Sequence, residues 1–329
     1  SLYTRVPRNP ARGDPFTAGL LYTWRGSFPM RMSQWRSPRR GVRVGVWTCA
    51  VVVAASTLAF ADPTSRTVCV TAMGKDGGEL SALAPADFTL KEGGKERQIV
   101  SVTPLATPMP VALVVENGLT GDNSVRVSMG HLIQHLNGRA DVALVTVSQR
   151  AVTNVDFTRD GNALIAGINQ LGLYSPTQED NLPEGLYDVA QVRAKRPGDR
   201  HVIVTMAIDG QQASAMPAQQ ILDGIRDSGI ALYAITLPGR TVATDVGSLS
   251  DQSARSQVLG DGSKQSGGRR QEVPSTMGMP KVMDEFMQEL DHQYVITYTL
   301  PDGVKPSNRL DVSLKRKDAV LRAPTRIPE

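Results

Sequence analysis

The chain has 329 residues, with 36 Lys and Arg against 32 Asp and Glu, which gives a formal net charge of +4. The positive excess is local, because residues 1–61 carry nine Arg and one acid, whereas residues 62–329 carry 27 basic and 31 acidic side chains. The mildly acidic main part excludes nucleic-acid binding as the meaning of the positive total. The length suits one large domain or two small ones.

An export signal is predicted near the N-terminus. Four arginines between residues 36 and 43 precede an apolar run over 44–60, which closes with the small-x-small triplet Ala59-Phe60-Ala61. We predict a signal peptide over 30–61 and an exported mature chain, periplasmic or extracellular, that begins at Asp62. An uncleaved membrane anchor is the alternative, and it would be the only contact with a membrane.

Residues 1–29 have no place before a signal peptide, so we predict that they are a non-native upstream extension without a folded role. The chain has two cysteines, of which Cys49 lies inside the signal run. Cys69 alone remains in the mature chain, so the sequence predicts no intramolecular disulfide, and the hydrophobic core must hold the fold together.

The first part of the mature chain reads as a small β unit over 67–104. Three short strand patterns occur at 67–72 (TVCVTA), 87–91 (DFTLK) and 98–102 (QIVSV), and Gly-rich turns separate them. Prolines between 104 and 110 mark the end of this unit.

Apolar strand runs and amphipathic helices then alternate over 108–240. The strand runs lie at 111–115, 141–147, 152–157, 201–208 and 230–237. This order predicts an α/β fold, a doubly wound, mostly parallel sheet with helices on both faces. The run at 152–157 is predicted to pair antiparallel with 141–147.

Residues 241–280 interrupt the pattern, since they have no apolar period and are rich in Gly, Ser and Gln. We predict a flexible loop here, with Arg269 and Arg270 in solvent. A helix and two strands follow over 281–325. The strands at 293–300 and 310–314 have no place in the parallel sheet. They are predicted to pair with the early strands, giving one small β module from both ends of the mature chain.

The order of these elements resembles the von Willebrand factor type A domain family, and more narrowly its secreted bacterial relatives. The segments that carry the resemblance are VTAMGKDGGELSALAPADFTLKEGGKERQI (70–99), PVALVVEN (110–117), EGLYDVA (184–190), RHVIVTMAIDG (200–210), SGG (266–268) and QYVITY (293–298). The resemblance covers nearly all of 67–325 and implies a type A, Rossmann-like domain.

The resemblance also implies a metal-ion-dependent adhesion site, where hydroxyls bind Mg²⁺ and carboxylates hold its waters. The first loop of that site reads Asp-x-Ser-x-Ser in the family. Here Glu116 replaces the Asp, Gly118 the first Ser and Thr120 the second Ser. Glu184 falls at the position of a family Thr, and only Asp209 matches fully.

Two interpretations of Glu116, Thr120, Glu184 and Asp209 stay open. The adhesion site has lapsed and no cofactor is bound, or the carboxylates form a different oxygen site for Mg²⁺, Mn²⁺ or Ca²⁺. No catalytic residue can be named, because the sequence has no G-x-S-x-G, P-loop, dinucleotide fingerprint, CxxC or HExxH motif.

The favoured function is therefore a non-enzymatic bacterial adhesion or scaffold module. It would bind an unidentified protein partner through the loops at 116–122, 176–184 and 209–214, which meet at the carboxyl edge of the sheet. The alternatives are a structural envelope component with no ligand at that edge, and a metal-dependent enzyme using the three carboxylates.

Overall fold

The computed structural model describes residues 64–106, 109–172, 181–193, 200–209, 214–239 and 246–329. The predictions for 1–29 and for the signal peptide at 30–61 lie outside these residues. Among the helices described, none combines the length and the apolar character needed to cross a lipid bilayer.

The described strands, in chain order, are β1 (Thr64–Gly74), β2 (Phe88–Glu92), β3 (Lys95–Glu96), β4 (Gln98–Pro104), β5 (Met109–Glu116), β6 (Ala140–Val147), β7 (Ala151–Thr158), β8 (Val202–Asp209), β9 (Ala231–Pro238), β10 (Arg269–Glu272), β11 (Gln293–Leu300), β12 (Leu310–Leu314) and β13 (Ala319–Arg322). The described α-helices are α1 (Asn123–Leu136), α2 (Gly161–Gln170), α3 (Leu182–Arg193), α4 (Ala218–Ser228), α5 (Val246–Gln265) and α6 (Met279–Asp291).

The central sheet has the strand order β10-β9-β8-β5-β6-β7. Its strands are parallel except for β7, which pairs antiparallel with β6 as predicted. The two strongest apolar runs are neighbours: Val111 of β5 lies opposite Val202 of β8, and the parallel register continues to Val115 opposite Met206. Their carboxyl ends therefore meet at one edge of the sheet.

Helices cover both faces of this sheet, and β5 shows why. All eight of its residues are buried, and successive side chains point to opposite faces. Leu113 packs in a cluster with α1, α2 and α6, whereas its neighbour Val114 packs in a cluster with α3, α4 and α5. The predicted doubly wound α/β fold is confirmed.

A β module combines the early strands with the late ones, as predicted. One of its sheets has the order β13-β1-β11-β4, and the other has the order β12-β2-β3. β11 lies between β1 and β4 and is antiparallel to both, and β12 is antiparallel to β2. Leu90, Ile296 and Tyr298 are fully buried in its separate core.

The prediction of a flexible loop over 241–280 is wrong where the structure describes it, since α5 and β10 occupy most of this range. Helix α5 lacks an apolar stripe because much of its buried face consists of small and polar residues. Arg255 and Ser263 are 3% and 1% exposed, and a Cβ on Gly262 would lie 3.3 Å from the Leu232 side chain. Residues 241–245 lie outside the description.

The Gly-rich turn after α5 is required by close packing. A Cβ on Gly268 would lie 2.0 Å from the carbonyl oxygen of Leu232, so only glycine fits beside this strand. Gly267 has a φ of +76°, which also favours glycine. The turn leads into β10, which pairs with β9 at the edge of the sheet. Arg269 and Arg270 therefore lie in a strand of the central sheet.

Candidate functional site

The carboxyl edge of the central sheet carries the residues singled out by the sequence. β5, β6 and β8 all end here, at Glu116, Val147 and Asp209, because parallel strands in register finish together. Residues 176–180 and 210–213 of the predicted binding loops lie outside the described residues. The parts described are the loop after β5, the start of α3, the end of β8 and the segment before α4.

Glu116 is buried at the end of β5, with 3% of its surface exposed. One carboxylate oxygen accepts a hydrogen bond from the Arg255 guanidinium of α5, in an ion pair that is buried on both sides. The other oxygen accepts the backbone N–H of Ile208 at 2.5 Å. Glu116 therefore connects the ends of β5 and β8 to α5.

Thr120 is fully buried in the loop after β5. Its hydroxyl donates to the Asn117 carbonyl at 2.8 Å and lies 3.2 Å from the Gly172 carbonyl. The Arg126 guanidinium holds the same loop from α1, since it donates to the carbonyls of Thr120, Ile168 and Leu171 at 2.7 to 2.9 Å. These contacts fasten the loop to the end of α2.

Glu184 lies in the first turn of α3 and has different partners. Its Oε1 accepts hydrogen bonds from the Ala215 N–H at 2.8 Å, the Met216 N–H at 3.0 Å and the Ser214 hydroxyl at 3.1 Å. This carboxylate organises the segment that leads into α4. Helix α4 begins at Ala218 without a side-chain cap, and the Ser214 hydroxyl before it donates to Glu184 and to the Met216 carbonyl.

Asp209, the last residue of β8, has 13% of its side chain exposed. Its Oδ2 accepts hydrogen bonds from the Arg270 guanidinium of β10 and from the Ser256 hydroxyl of α5 at 3.2 Å. Arg270 also donates to Ser256 at 3.0 Å and to Thr236 at 3.2 Å. The prediction that Arg270 lies in solvent is therefore wrong.

Arg269 was also predicted to lie in solvent, and it also has partners in the fold. Its guanidinium is 2.8 Å from the Glu285 carboxylate and 3.0 Å from the fully buried Glu289 of α6. The alternation of β10 sends Arg269 and Arg270 to opposite faces of the sheet, where each meets a carboxylate.

The donor set at this edge does not suit a divalent cation. Among the residues described, no three His, Cys, Asp or Glu side chains lie close enough together to hold a metal ion. Glu116 and Asp209 each bind a guanidinium, and Glu184 binds backbone N–H groups. A guanidinium beside a carboxylate repels a second cation, and this makes the carboxylate a weaker ligand for Mg²⁺ or Ca²⁺.

Sequence reasoning identified the carboxylates but missed Arg255 and Arg270. The signal for Arg255 was a lone arginine in a Gly- and Ser-rich stretch, which alone does not distinguish a buried helix from a loop. The signal for Arg270 was its position next to Arg269, which fits a strand that places one cation on each face. Both arginines become informative only once α5 and β10 are known to pack on the sheet.

No protein-family model matches the sequence, and no curated protein matches it. The fold is similar to solved type A structures. One is proximal thread matrix protein 1 from the mussel byssus with a zinc-occupied MIDAS motif, with a TM-score of 0.45 and 14% identity, covering 63% of this chain and 48% of that one. Another is a von Willebrand factor type A protein from Catenulispora acidiphila, with a TM-score of 0.45 and 10% identity over 81% and 74% of the two chains.

A third solved structure with a similar fold is the vWF domain of the type V pili tip protein Mfa5 from Porphyromonas gingivalis. Its TM-score is 0.42 and its identity 10%, over 57% of this chain and 96% of that one. The chain spans about half the length of the mussel protein. Similarity at this level of identity concerns the fold alone. These structures belong to the family that the sequence resembles.

Proposed function

We propose that this chain is an exported, non-enzymatic protein-binding module of the adhesion or scaffold type, which contacts its partner at the carboxyl edge of the central sheet without a metal ion. The observation that carries the proposal is the pairing of Glu116 with Arg255 and of Asp209 with Arg270. Each guanidinium supplies the positive charge that a bound cation would otherwise supply to its carboxylate. Recognition then depends on shape and on ordinary polar contacts.

Internal contacts in the described part of this edge support a binding role. The two ion pairs connect β5 and β8 to α5 and β10, and Arg126 holds the loop after β5 against α2. A surface that is ordered before it meets its partner loses less conformational entropy on binding. The ion pairs therefore favour binding even though a partner need not touch them.

The exposed side chains at this edge are of a kind found in interfaces. Val152, at the start of β7, is 53% exposed, and Ile208, near the end of β8, is 37% exposed. Polar residues flank them, including Gln149 and Arg150 in the turn between β6 and β7. Apolar side chains surrounded by polar ones are typical of a protein–protein contact.

A capture experiment with matched variants tests the binding surface. The purified protein, a rim variant (Val152→Ser with Ile208→Ser) and a control variant (Val100→Ser, on exposed β4) are used to capture proteins from an envelope extract. The control residue is 55% exposed but lies in the β module. The proposal expects a partner that the wild type and the control retain, that the rim variant loses and that a chelator does not release.

Other results of the capture experiment separate the alternatives. Equal recovery by all three proteins would show that the partner binds elsewhere. Recovery of nothing above background would favour a structural envelope component. Release of the partner by chelator would restore the metal-dependent interpretation.

Export has its own test, because it rests on residues 30–61 of the sequence. We expect protein isolated from its native host to begin at Asp62, which N-terminal sequencing or intact mass determines. A native N-terminus upstream of residue 44 would contradict cleavage and support the membrane-anchor alternative.

A further inference from the structure

A cavity of about 400 Å³ lies at the opposite edge of the central sheet from the proposed binding surface. β1 forms one wall, and the residues just before β8 and β9 form another, at Arg200 and Ile230. The end of α4 and the C-terminal residues 324–328 complete it. Its volume lies in the range of small-molecule sites.

The wall of this cavity combines apolar side chains with cations. Val68, Ile225, Ile230 and Ile327 supply aliphatic surface. Four arginines line the cavity (Arg66, Arg200, Arg226 and Arg326), and the lining residues that the structure describes include no Asp, Glu or Lys. The cavity is therefore suited to a molecule with an apolar body and a negative charge.

Arg200 is the critical residue, because it is buried and only weakly bound. It is 4% exposed. Its guanidinium contacts the carbonyls of Cys69 at 3.5 Å and Gly267 at 3.4 Å, both at the long limit of a hydrogen bond. Its Nε–H has no partner among the described residues, and no described carboxylate lies within ion-pair distance of it.

The other three arginines do not cancel the unpaired positive charge of Arg200. Arg66 is 2.8 Å from the Glu92 carboxylate, and Arg226 is held by Asp223 and Asp227. Arg326 is exposed at the C-terminal wall, where it donates to the Asn308 side chain at 3.1 Å, and no described carboxylate pairs with it. Two of the four cations thus lack a negative partner in the described structure.

A buried cation without a counter-charge is unfavourable, and an anion that reaches it gains a strong, charge-assisted contact. A carboxylate matches the planar fork of a guanidinium better than a spherical ion does. The aliphatic wall adds affinity for an apolar body next to that carboxylate. Both features line the same cavity.

We propose that this cavity binds a carboxylate joined to a small apolar body, with Arg200 as the residue that holds the carboxylate. Two sources share this chemistry, a free aliphatic acid and the C-terminal end of an apolar peptide. The site lies at the amino edge of the sheet, so the proposal does not depend on the function proposed for the carboxyl edge.

Titration of the wild-type protein with matched probes tests the proposal without a variant. Octanoate represents the free acid, N-acetyl-leucyl-leucine represents the peptide end, and octanol and inorganic phosphate each supply only half of the required chemistry. We expect saturating octanoate or the dipeptide to raise the Tm by about 2–4 °C, and octanol and phosphate to leave it unchanged. The tighter of the two carboxylates identifies the source.

Substitutions locate the binding. Arg200→Met is expected to weaken binding of the carboxylate probe about tenfold or more, measured by calorimetry, because it removes the charged donor and keeps the volume. Arg159→Met, an exposed arginine outside the cavity, is the control and should leave the affinity unchanged. Arg326→Met is expected to weaken binding less than Arg200→Met, because its side chain is exposed.

The same measurements can overturn the proposal. Failure of both carboxylates to shift the Tm of the wild type would overturn it, whether or not the Arg200 variant folds. Equal shifts with octanol and octanoate would show a merely apolar cavity, and a shift with phosphate alone would show a simple anion site. Unchanged affinity in a folded Arg200→Met variant would place the carboxylate elsewhere.

Discussion

The two edges of the central sheet treat buried charge in opposite ways. At the carboxyl edge, the buried Glu116 is paired with Arg255, and Asp209 is paired with Arg270. At the amino edge, Arg200 is equally buried but has only two long contacts to carbonyls in the described structure. At the first edge Glu116 and Asp209 each have a guanidinium partner, whereas the described part of the second edge has a positive charge in excess.

This difference separates structural charges from charges available to a ligand. Removing one partner of a buried ion pair of good geometry strongly destabilises the fold. While the pair is intact, each charge is already neutralised, so a small charged ligand gains little by binding there. An unmatched buried cation is unfavourable to the fold and gains most from a ligand of opposite charge. Substitutions at both edges measure the contrast directly.

The largest effect is expected for Glu116→Ala. It leaves the buried Arg255 without its carboxylate and removes the acceptor of the Ile208 N–H, so the free energy of unfolding should fall by about 3–5 kcal/mol. Urea denaturation measures the change. Glu116→Leu combined with Arg255→Met should recover much of the loss, because it removes both charges. A loss below about 1 kcal/mol for the single variant would show that the pair is not structural.

A smaller loss is expected for Asp209→Asn. Its side chain is partly exposed, so water screens the Arg270 that remains, and the free energy of unfolding should fall by about 1–3 kcal/mol. Ser256→Ala removes the hydroxyl that donates to Asp209 at 3.2 Å and accepts from Arg270 at 3.0 Å but keeps the ion pair, and it serves as the milder control. A loss as large as that of Glu116→Ala would show that burial does not determine which of the two ion pairs contributes more to stability.

Arg200→Met should change the stability by no more than about 1 kcal/mol, and a gain is compatible with the argument, since the variant removes a buried charge that pairs with none of the carboxylates in the described part of the chain. Arg255→Met, a similar substitution at the other edge, should destabilise by several kcal/mol because Glu116 then lacks its guanidinium. Urea denaturation of the two variants side by side is the sharpest test of the contrast. Equal losses of unfolding free energy in the two variants would contradict the contrast between the two edges.

Most of the fold could be predicted because its signal is local. β5 and β8 are apolar runs with polar ends, and the late strands at 293–300 and 310–314 had no partner other than the early β unit. Helix α5 could not be predicted, since Gly262, Ser263 and Arg255 bury its inner face without an apolar period. Close packing of small residues leaves little trace in a hydrophobic pattern.

The site was predictable only in part for a related reason. Glu116 and Asp209 follow buried strands directly, so their place at the carboxyl edge follows from the strand ends. Their partners Arg255 and Arg270 are 139 and 61 residues away along the chain. A pairing between such distant charges depends on how α5 and β10 pack, which no single stretch of sequence encodes.

A partly exposed ion pair in the β module, between Asp87 and Arg316, gives a reference for both edges. The backbone N–H of Ala84 and the Arg316 guanidinium lower the pKa of Asp87. A carboxyl group with a lowered pKa stabilises the fold above its ordinary pKa and loses this contribution as the pH falls through the lower value. The difference in unfolding free energy between the wild type and Asp87→Asn should therefore be constant above about pH 5 and shrink below about pH 4. A difference that grows on acidification would contradict this assignment.

The smallest effect is expected from divalent cations. The test is decisive because a bound cation would stabilise the fold by a large amount. An ion present at 100 times its Kd would stabilise the fold by about 2.7 kcal/mol, which is a shift of several degrees in Tm. We expect Mg²⁺, Mn²⁺ and Ca²⁺ each to leave the Tm of chelator-treated protein unchanged, since Arg255 and Arg270 already neutralise Glu116 and Asp209. A shift that disappears in Asp209→Asn would place a cation at the carboxyl edge. Both edges would then attract a ligand of opposite charge, a cation at the carboxyl edge and a carboxylate at the amino edge. The contrast in how they treat buried charge would no longer hold.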